Sequence, residues 1–262
     1  MTGDEEPDRA AKTELLRGLH RPGSPLVLPN CWDVMTARLF TELGFPVVAT
    51  SSRAIAAALG YEDHQAAPAD EMLAFSARIA ESVAVPVTAD LEGGYGLDAA
   101  ELVDFLVESG IVGLNLEDTD YARGSGLLPA SEQAEYLQAV RHAARQRGVD
   151  LVLNARIDVY LQTQADRGEQ LREIERRAKL YADAGADCIF PIGIRSEDDI
   201  ERLVSSVDVP LNVLAYAKAP PPHRLAELGV ARISTAGSLA TVACDALKEA
   251  TRSLLSLVPA DE

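Results

Sequence analysis

Basic residues are scarce in this chain. Its 262 residues carry 24 Lys and Arg against 41 Asp and Glu, a formal net charge of −17. The lysines are Lys12, Lys179, Lys218 and Lys248 alone. With so little positive charge, nucleic acid and anionic membrane surfaces are not expected as partners. A lysine Schiff base is disfavoured too, since only Lys218 falls near a strand-like segment, in the loop beyond it. Small anionic substrates stay open, because one bound cation reverses the local field. Cysteine is equally sparse: Cys31, Cys188 and Cys244 are odd in number and widely spaced, unlike a disulfide framework or a zinc ligand set. No run of about 18 apolar residues is present, which excludes a transmembrane helix. The acidic start lacks the basic and apolar regions of a signal peptide, so a cytoplasmic location is expected.

What the chain does have is repetition. After an acidic tail and short helix (residues 1–25), an apolar strand, a turn and an amphipathic helix recur eight times. The strand segments are Leu26–Asn30, Val47–Ser52, Val85–Glu92, Gly113–Asp118, Leu151–Asp158, Cys188–Gly193, Leu211–Tyr216 and Arg232–Gly237. Helices are expected to begin near Asp33, Ala69, Asp98, Ala130, Gly168, Ser196, Pro220 and Ser238, several of them with capping residues or an early proline. Glycines 44, 110, 148, 185 and 229 mark helix ends. Strict alternation implies right-handed βαβ units and a parallel sheet. The length fits one α/β domain over residues 26–262, a (β/α)8 TIM barrel. A doubly wound open sheet is the alternative.

In such barrels the site lies at the C-terminal strand ends, which places a polar set at the mouth. Asp90 and Glu92 are two apart in a strand segment, so alternation puts both on one face. Asp63 and Glu117 join them. Four carboxylates in one mouth repel one another unless a cation lies between them, or unless each has an arginine or the open rim. An all-oxygen set suits Mg²⁺, with Mn²⁺ as the alternative, and no histidine or cysteine at the strand ends favours zinc.

Arg156 is the strong cation at a strand end, suited to a substrate carboxylate or to a salt bridge with Asp158 or Glu117. Ser51 and Ser52 offer hydroxyls and N–H groups to an oxyanion, or merely form a turn. Asn115, Asn154 and Asn212 share strand faces with Glu117, Arg156 and Tyr216, and are expected to bind substrate at the mouth. Tyr61 and Tyr216 either hold substrate or donate a proton, or pack. Arg53 and Arg123 recognise a second carboxylate or plug the pocket. A metal, a carboxylate clamp and an oxyanion pocket together fit 2-oxo acid chemistry, with the metal stabilising the enolate left when a C–C bond breaks.

Several of these segments resemble motifs of the isocitrate lyase/phosphoenolpyruvate mutase superfamily. They are Asn30-Cys-Trp-Asp33, Thr50-Ser-Ser52 with Leu59-Gly-Tyr-Glu-Asp63, Ala89-Asp-Leu-Glu-Gly-Gly-Tyr-Gly96, Leu116-Glu-Asp118 and Asn154-Ala-Arg156. They stand in the family order, over about residues 26–256. The resemblance implies a Mg²⁺-dependent barrel acting through an enolate, and a tetramer whose barrels exchange their last helices. It implies Asp90 as the direct metal ligand, with Asp63, Glu92 and Glu117 holding metal-bound water. Arg156 and the Ser51-Ser52 segment would bind substrate. Glu92 departs from the Asp of many members.

The loop Asp118–Pro129 lacks the Lys-Lys-Cys-Gly-His motif of the isocitrate and methylisocitrate lyases, and the Lys and Asn of the mutases. Oxaloacetate decarboxylation is therefore the leading expectation, in a homo-oligomer, with Gly124 and Gly126 letting the loop act as a lid. Hydrolytic or aldol-type C–C cleavage, C–P chemistry, and a metabolite-binding barrel without turnover are the alternatives.

Overall fold

The computed structural model describes residues 5–124, 126–216 and 218–255. The first four residues and the end from Ser256 of the expected tail and barrel lie outside the described residues. Among the described residues nine strands run in parallel: β1 (Leu26–Leu28), β2 (Asn30–Cys31), β3 (Val48–Thr50), β4 (Val87–Asp90), β5 (Gly113–Glu117), β6 (Val152–Ile157), β7 (Cys188–Pro191), β8 (Asn212–Leu214) and β9 (Arg232–Ser234). β1 and β2 are one barrel strand interrupted at Pro29, which has no N–H to give to a ladder. Its carbonyl still accepts from Ala49 N at 3.2 Å. β1 pairs with β9 and β2 with β3, while the parallel bridge Ile189–Leu211 joins β7 to β8. The sheet is thus a closed barrel and not an open doubly wound sheet.

The helices are α1 (Glu5–Gly18), α2 (Val34–Glu42), α3 (Ser52–Leu59), α4 (Ala69–Glu81), α5 (Ala99–Ser109), α6 (Ala130–Gln146), α7 (Val159–Gln162), α8 (Arg167–Asp183), α9 (Glu197–Ser206), α10 (Pro222–Glu227) and α11 (Ser238–Leu255). Local chemistry sets their starts. Asp33 and Asp98 each close a capping box, and Ser196 accepts from Asp199 N. Two of these helices, α3 and α7, are additional to the eight repeats. Ser51 caps α3 instead of ending a strand, and Gly60 closes that helix at φ 91°.

The acidic N-terminal segment closes the lower end of the barrel. Leu16 of α1 is fully buried against Leu26, Leu28, Val47, Val112 and Val152. A Cβ on Gly113 would sit 2.7 Å from Leu16 Cδ2, so β5 starts with the one residue that admits the plug. Arg9 fastens α1 by donating to Leu106 O (3.0 Å) and Ile111 O (2.6 Å), at and beyond the last turn of α5 where carbonyls lack helical partners. Burial lowers the Arg9 pKa. Among the described residues no helix is long and apolar enough to cross a membrane.

Candidate active site

β4 ends at Asp90, and the chain turns at once, with Gly94 N donating to Leu91 O at 2.8 Å. Glu92 stands at φ 50°, so it is not on the strand and strand alternation does not describe it. The turn nevertheless carries its carboxylate to the same place. Gly94 permits the turn at φ 90°, and a Cβ there would lie 2.5 Å from the Tyr136 hydroxyl. Among the described residues the non-glycine residues with positive φ are His64, Gln65, Glu92, Tyr95 and Ala236, all in loops at this end of the barrel. Each such conformation costs on the order of 1 kcal/mol, and this kind of strain gathers at functional sites.

A cavity of about 500 Å³ opens at the mouth, lined by Asp63, Asp90, Glu92, Glu117, Arg53 and Arg156. Its size suits a small organic acid. Strand register explains part of the convergence, because Asp90 pairs with Asn115, Asn115 with Asn154, and Glu117 with Arg156. Asp90 Oδ2 accepts from Ser52 Oγ at 2.8 Å and from Ser52 N at 3.3 Å, at the positive end of α3. Glu92 accepts from Gln65 N (2.7 Å) and Tyr95 OH (3.1 Å). Burial, together with the charges of Asp90 and Asp63, pushes the Glu92 carboxyl up to about 7.

Glu117 and Asp158 share one cation. Arg156 Nη1 meets Glu117 Oε2 in an ion pair, while its Nε and Nη2 donate to Asp158 at 2.7 and 3.0 Å. Burial opposes the arginine's charge, but Glu117, Asp158 and Asp90 outweigh it and hold its pKa well above the ordinary value. One guanidinium cannot neutralise two carboxylates. Burial raises the Glu117 pKa well above the carboxylate range, and Asp158 and Asp90 add to the rise against Arg156. Both expected salt bridges of Arg156 are therefore present, whereas Arg53 makes no ion pair among the described residues.

Other expected residues have different surroundings. Ser51 Oγ accepts from Ala54 N as the α3 cap, and Ser52 Oγ donates to Asp90. Asn115, Asn154 and Asn212 face the barrel interior but lie deep: Asn154 Nδ2 donates to Asn115 Oδ1 (2.9 Å), and Asn212 bonds Ser234. None of the three lines the cavity. Tyr61 is directed elsewhere, its hydroxyl donating to Glu71. Tyr216 lies beyond the end of β8 and accepts from Arg195 Nε at 2.5 Å; Leu214 reaches the cavity instead. Arg123 pairs with Asp120 within the loop after β5, which folds back through Asp120 N to Gly126 O at 2.9 Å.

Several residues at the mouth have no counterpart among the expected site residues. Tyr95 and Tyr121 donate to Glu92 and Glu117, and burial raises both phenol pKa values. Asn30 Oδ1 accepts from Thr235 N (2.8 Å) and Ala236 N (2.9 Å), clasping the turn before α11 to the rim. Arg232 lies fully buried below.

Apart from His64 the metal-binding side chains that line the mouth carry oxygen, the charges of Asp90 and Asp63 add to the rise of the Glu92 pKa, and Asp90 adds to that of Glu117. A hard divalent cation fits such a set. Among the described residues no three His, Cys, Asp or Glu side chains gather closely enough to enclose an ion by themselves. Mg²⁺ does not require that, since it keeps several waters and takes one or two carboxylates directly.

Acidic side chains and two arginines thus line the mouth of a (β/α)8 barrel. The profile of the phosphoenolpyruvate phosphomutase family matches residues 16–255, and the chain belongs to that family, within the phosphoenolpyruvate mutase/isocitrate lyase superfamily of lyases and mutases. It is 31% identical to an uncharacterized protein of Mycobacterium tuberculosis, over 83% of this chain and 80% of the relative. It is also 31% identical to oxaloacetate decarboxylase 1 of Pseudomonas fluorescens, over 77% of this chain and 70% of the relative. A Burkholderia cenocepacia crystal structure, provisionally assigned as a phosphonomutase, superposes with a TM-score of 0.87 at 36% identity, covering 92% of this chain and 99% of that one.

Proposed function

We propose that this protein is a Mg²⁺-dependent lyase of small 2-oxo dicarboxylic acids, and that oxaloacetate decarboxylation is its reaction. The observation that carries the reading is the cavity itself. Four carboxylates face it, and Arg53 stands at its edge free of any ion pair among the described residues. Asp90 would hold the cation directly, with Asp63, Glu92 and Glu117 reached through water. When bound, the metal would polarise the 2-oxo group and balance the negative charge of the enolate.

The chain's own groups do the rest. Arg53 would take the carboxylate farther from the 2-oxo group, and Arg156, held by Glu117 and Asp158, would supply positive charge opposite the acids. As the C3–C4 bond breaks, CO₂ leaves and the electron pair of that bond enters the enolate, which then takes a proton at C3 from solvent water to give pyruvate. Leu161, Ile192 and Leu214 supply apolar walls that limit water. The lid loop carries neither the lyase cysteine motif nor the mutase Lys and Asn, and decarboxylation requires neither. The reading is tested by following pyruvate release from oxaloacetate with Mg²⁺ and with EDTA, with methylisocitrate and phosphonopyruvate in the same screen. Turnover of either acid in preference to oxaloacetate would replace the substrate assignment.

The same reading includes a homo-oligomer in which barrels exchange their last helices. From Thr241 to Arg252 every side chain of α11 but Ala243 is exposed, including Val242 and Leu247 at 63% each. Met35 and Leu39 of α2, with Leu43 at its C-cap, form a second exposed apolar row. Apolar faces of this kind mark surfaces that another chain covers. Light scattering should give a dimer or tetramer mass, and a Val242→Asp/Leu247→Asp variant should shift it toward the monomer. A monomeric mass for the unaltered protein would refute the exchange.

A further inference from the structure

Beneath the cavity lies a charge that the proposed reaction does not use. Arg232 enters the barrel from β9, level with Leu26 and Asn212 in the strand register, and is 0% exposed. Its Nη2 donates to Asn115 Oδ1 at 3.1 Å. Its Nε and Nη1 find no hydrogen-bond partner among the described residues, and neither does Asn154 Oδ1. No carboxylate forms an ion pair with it there either. A buried guanidinium left this way is costly to the fold, and replacing such a group with an apolar side chain of similar volume is usually neutral or stabilising. The fold alone therefore does not account for it.

The hydrogen bonds point upward to the site. Asn115 Oδ1 receives both Arg232 Nη2 and Asn154 Nδ2, which fixes the amide with its nitrogen toward Asp90 Oδ1, 3.5 Å away. Ser52 holds the other oxygen of the same carboxylate. Burial lowers the Arg232 pKa, and the groups acting against that are Cys188 and Asp90. Burial also lifts the Cys188 thiol to about 12, so this cysteine is neutral and Asp90 is the charge that Arg232 answers.

We propose that Arg232 is a positioning residue of the cation site, orienting the Asp90 carboxylate from below through Asn115. The proposal rests on the reading of Asp90 as the ligand of a divalent cation. It acts through geometry: Asp90 presents its carboxylate to the cavity in one orientation because Ser52 and the Arg232-fixed amide grip it from two sides.

The test is Mn²⁺ binding to the full-length protein, read by the loss of the free-ion electron paramagnetic resonance signal, together with thermal unfolding in EDTA. Arg232→Met should weaken Mn²⁺ binding about tenfold while unfolding at the same temperature or higher. Asn115→Leu should weaken binding similarly, and the double variant should be no weaker than the poorer single, because both substitutions cut one chain of contacts. Unchanged affinity in Arg232→Met, or fully additive losses in the double variant, would overturn the proposal. So would an Arg232→Met variant that unfolds well below the unaltered protein or fails to fold, which would assign the residue to the fold. If the unaltered protein binds no Mn²⁺ at all, the lyase reading itself fails, an outcome distinct from the others.

Discussion

Asp90→Ala should abolish divalent-dependent turnover of oxaloacetate, lowering kcat/KM by about 10³-fold, or some 4 kcal/mol of transition-state stabilisation. The fold should survive. Asp90 is at the barrel mouth, and its charge is one of those that push up the Glu92 and Glu117 pKa values. Removing it relieves repulsion among the acids but also takes away the charge that Arg232 answers, so without metal the variant should unfold close to the unaltered protein. The two proteins should separate on adding Mg²⁺, when only the unaltered chain gains thermal stability. Differential scanning fluorimetry with and without Mg²⁺, run beside the assay, checks both. A variant that keeps a Mg²⁺-induced rise would remove Asp90 from the cation site.

Arg156→Gln should be the most destabilising single change at the site. It leaves Glu117 and Asp158, whose side chains are 1% and 2% exposed, without the guanidinium they share. Breaking a buried pair by removing one partner costs about 3–5 kcal/mol, since the remaining charge is stranded. Activity should fall with it, because the positive charge opposite the acids is gone. The pH dependence has a defined sign. A buried carboxyl whose folded pKa is raised retains its proton where the unfolded chain has lost it, so stability is lost as pH rises from the ordinary carboxylate pKa to the raised one. The gap between variant and unaltered protein should therefore be small near pH 4 and widen toward neutrality. Urea unfolding at several pH values measures it. Arg156→Lys should recover part of the stability but little activity, as lysine has charge without the planar fork. A pH-independent gap would contradict the account of the ion cluster.

Much of this was legible in the sequence, and the failures have physical causes. The eight βα repeats could be read because each strand is a short, largely apolar run and several of the helices that follow start on a capping residue, Asp33, Asp98 and Ser196 among them. α3 was hidden because Ser51-Ser52 looks like a strand end. The signal was present in Ser51 as a cap, the alanine run to Ala58 and Gly60 at the far end. Asp90 and Glu92 do meet in one cavity, but through a turn with Glu92 at φ 50° and not through strand alternation.

Alternation tells which face a residue is on and nothing about depth. That is why Asn115, Asn154 and Asn212 point inward as expected yet lie below the cavity. Tyr216 escaped the same rule because β8 stops at Leu214. Partner choice was beyond the sequence as well. Arg156 had two acids within reach on paper, and only the register of β5 with β6 shows that it serves both. Arg232 was open to notice, since an arginine between Ala231 and Ile233 in a fully buried strand is an anomaly that needs a reason.

The central claim is that the acid-lined mouth uses a divalent cation to decarboxylate a 2-oxo acid. The most direct test is the initial rate of pyruvate release from oxaloacetate by the purified protein, with Mg²⁺, with EDTA, and with Mg²⁺ restored. The account predicts a rate far above that of free Mg²⁺ alone, lost in EDTA and recovered when Mg²⁺ is added back. A rate no greater than free Mg²⁺ gives, or one indifferent to EDTA, would contradict it.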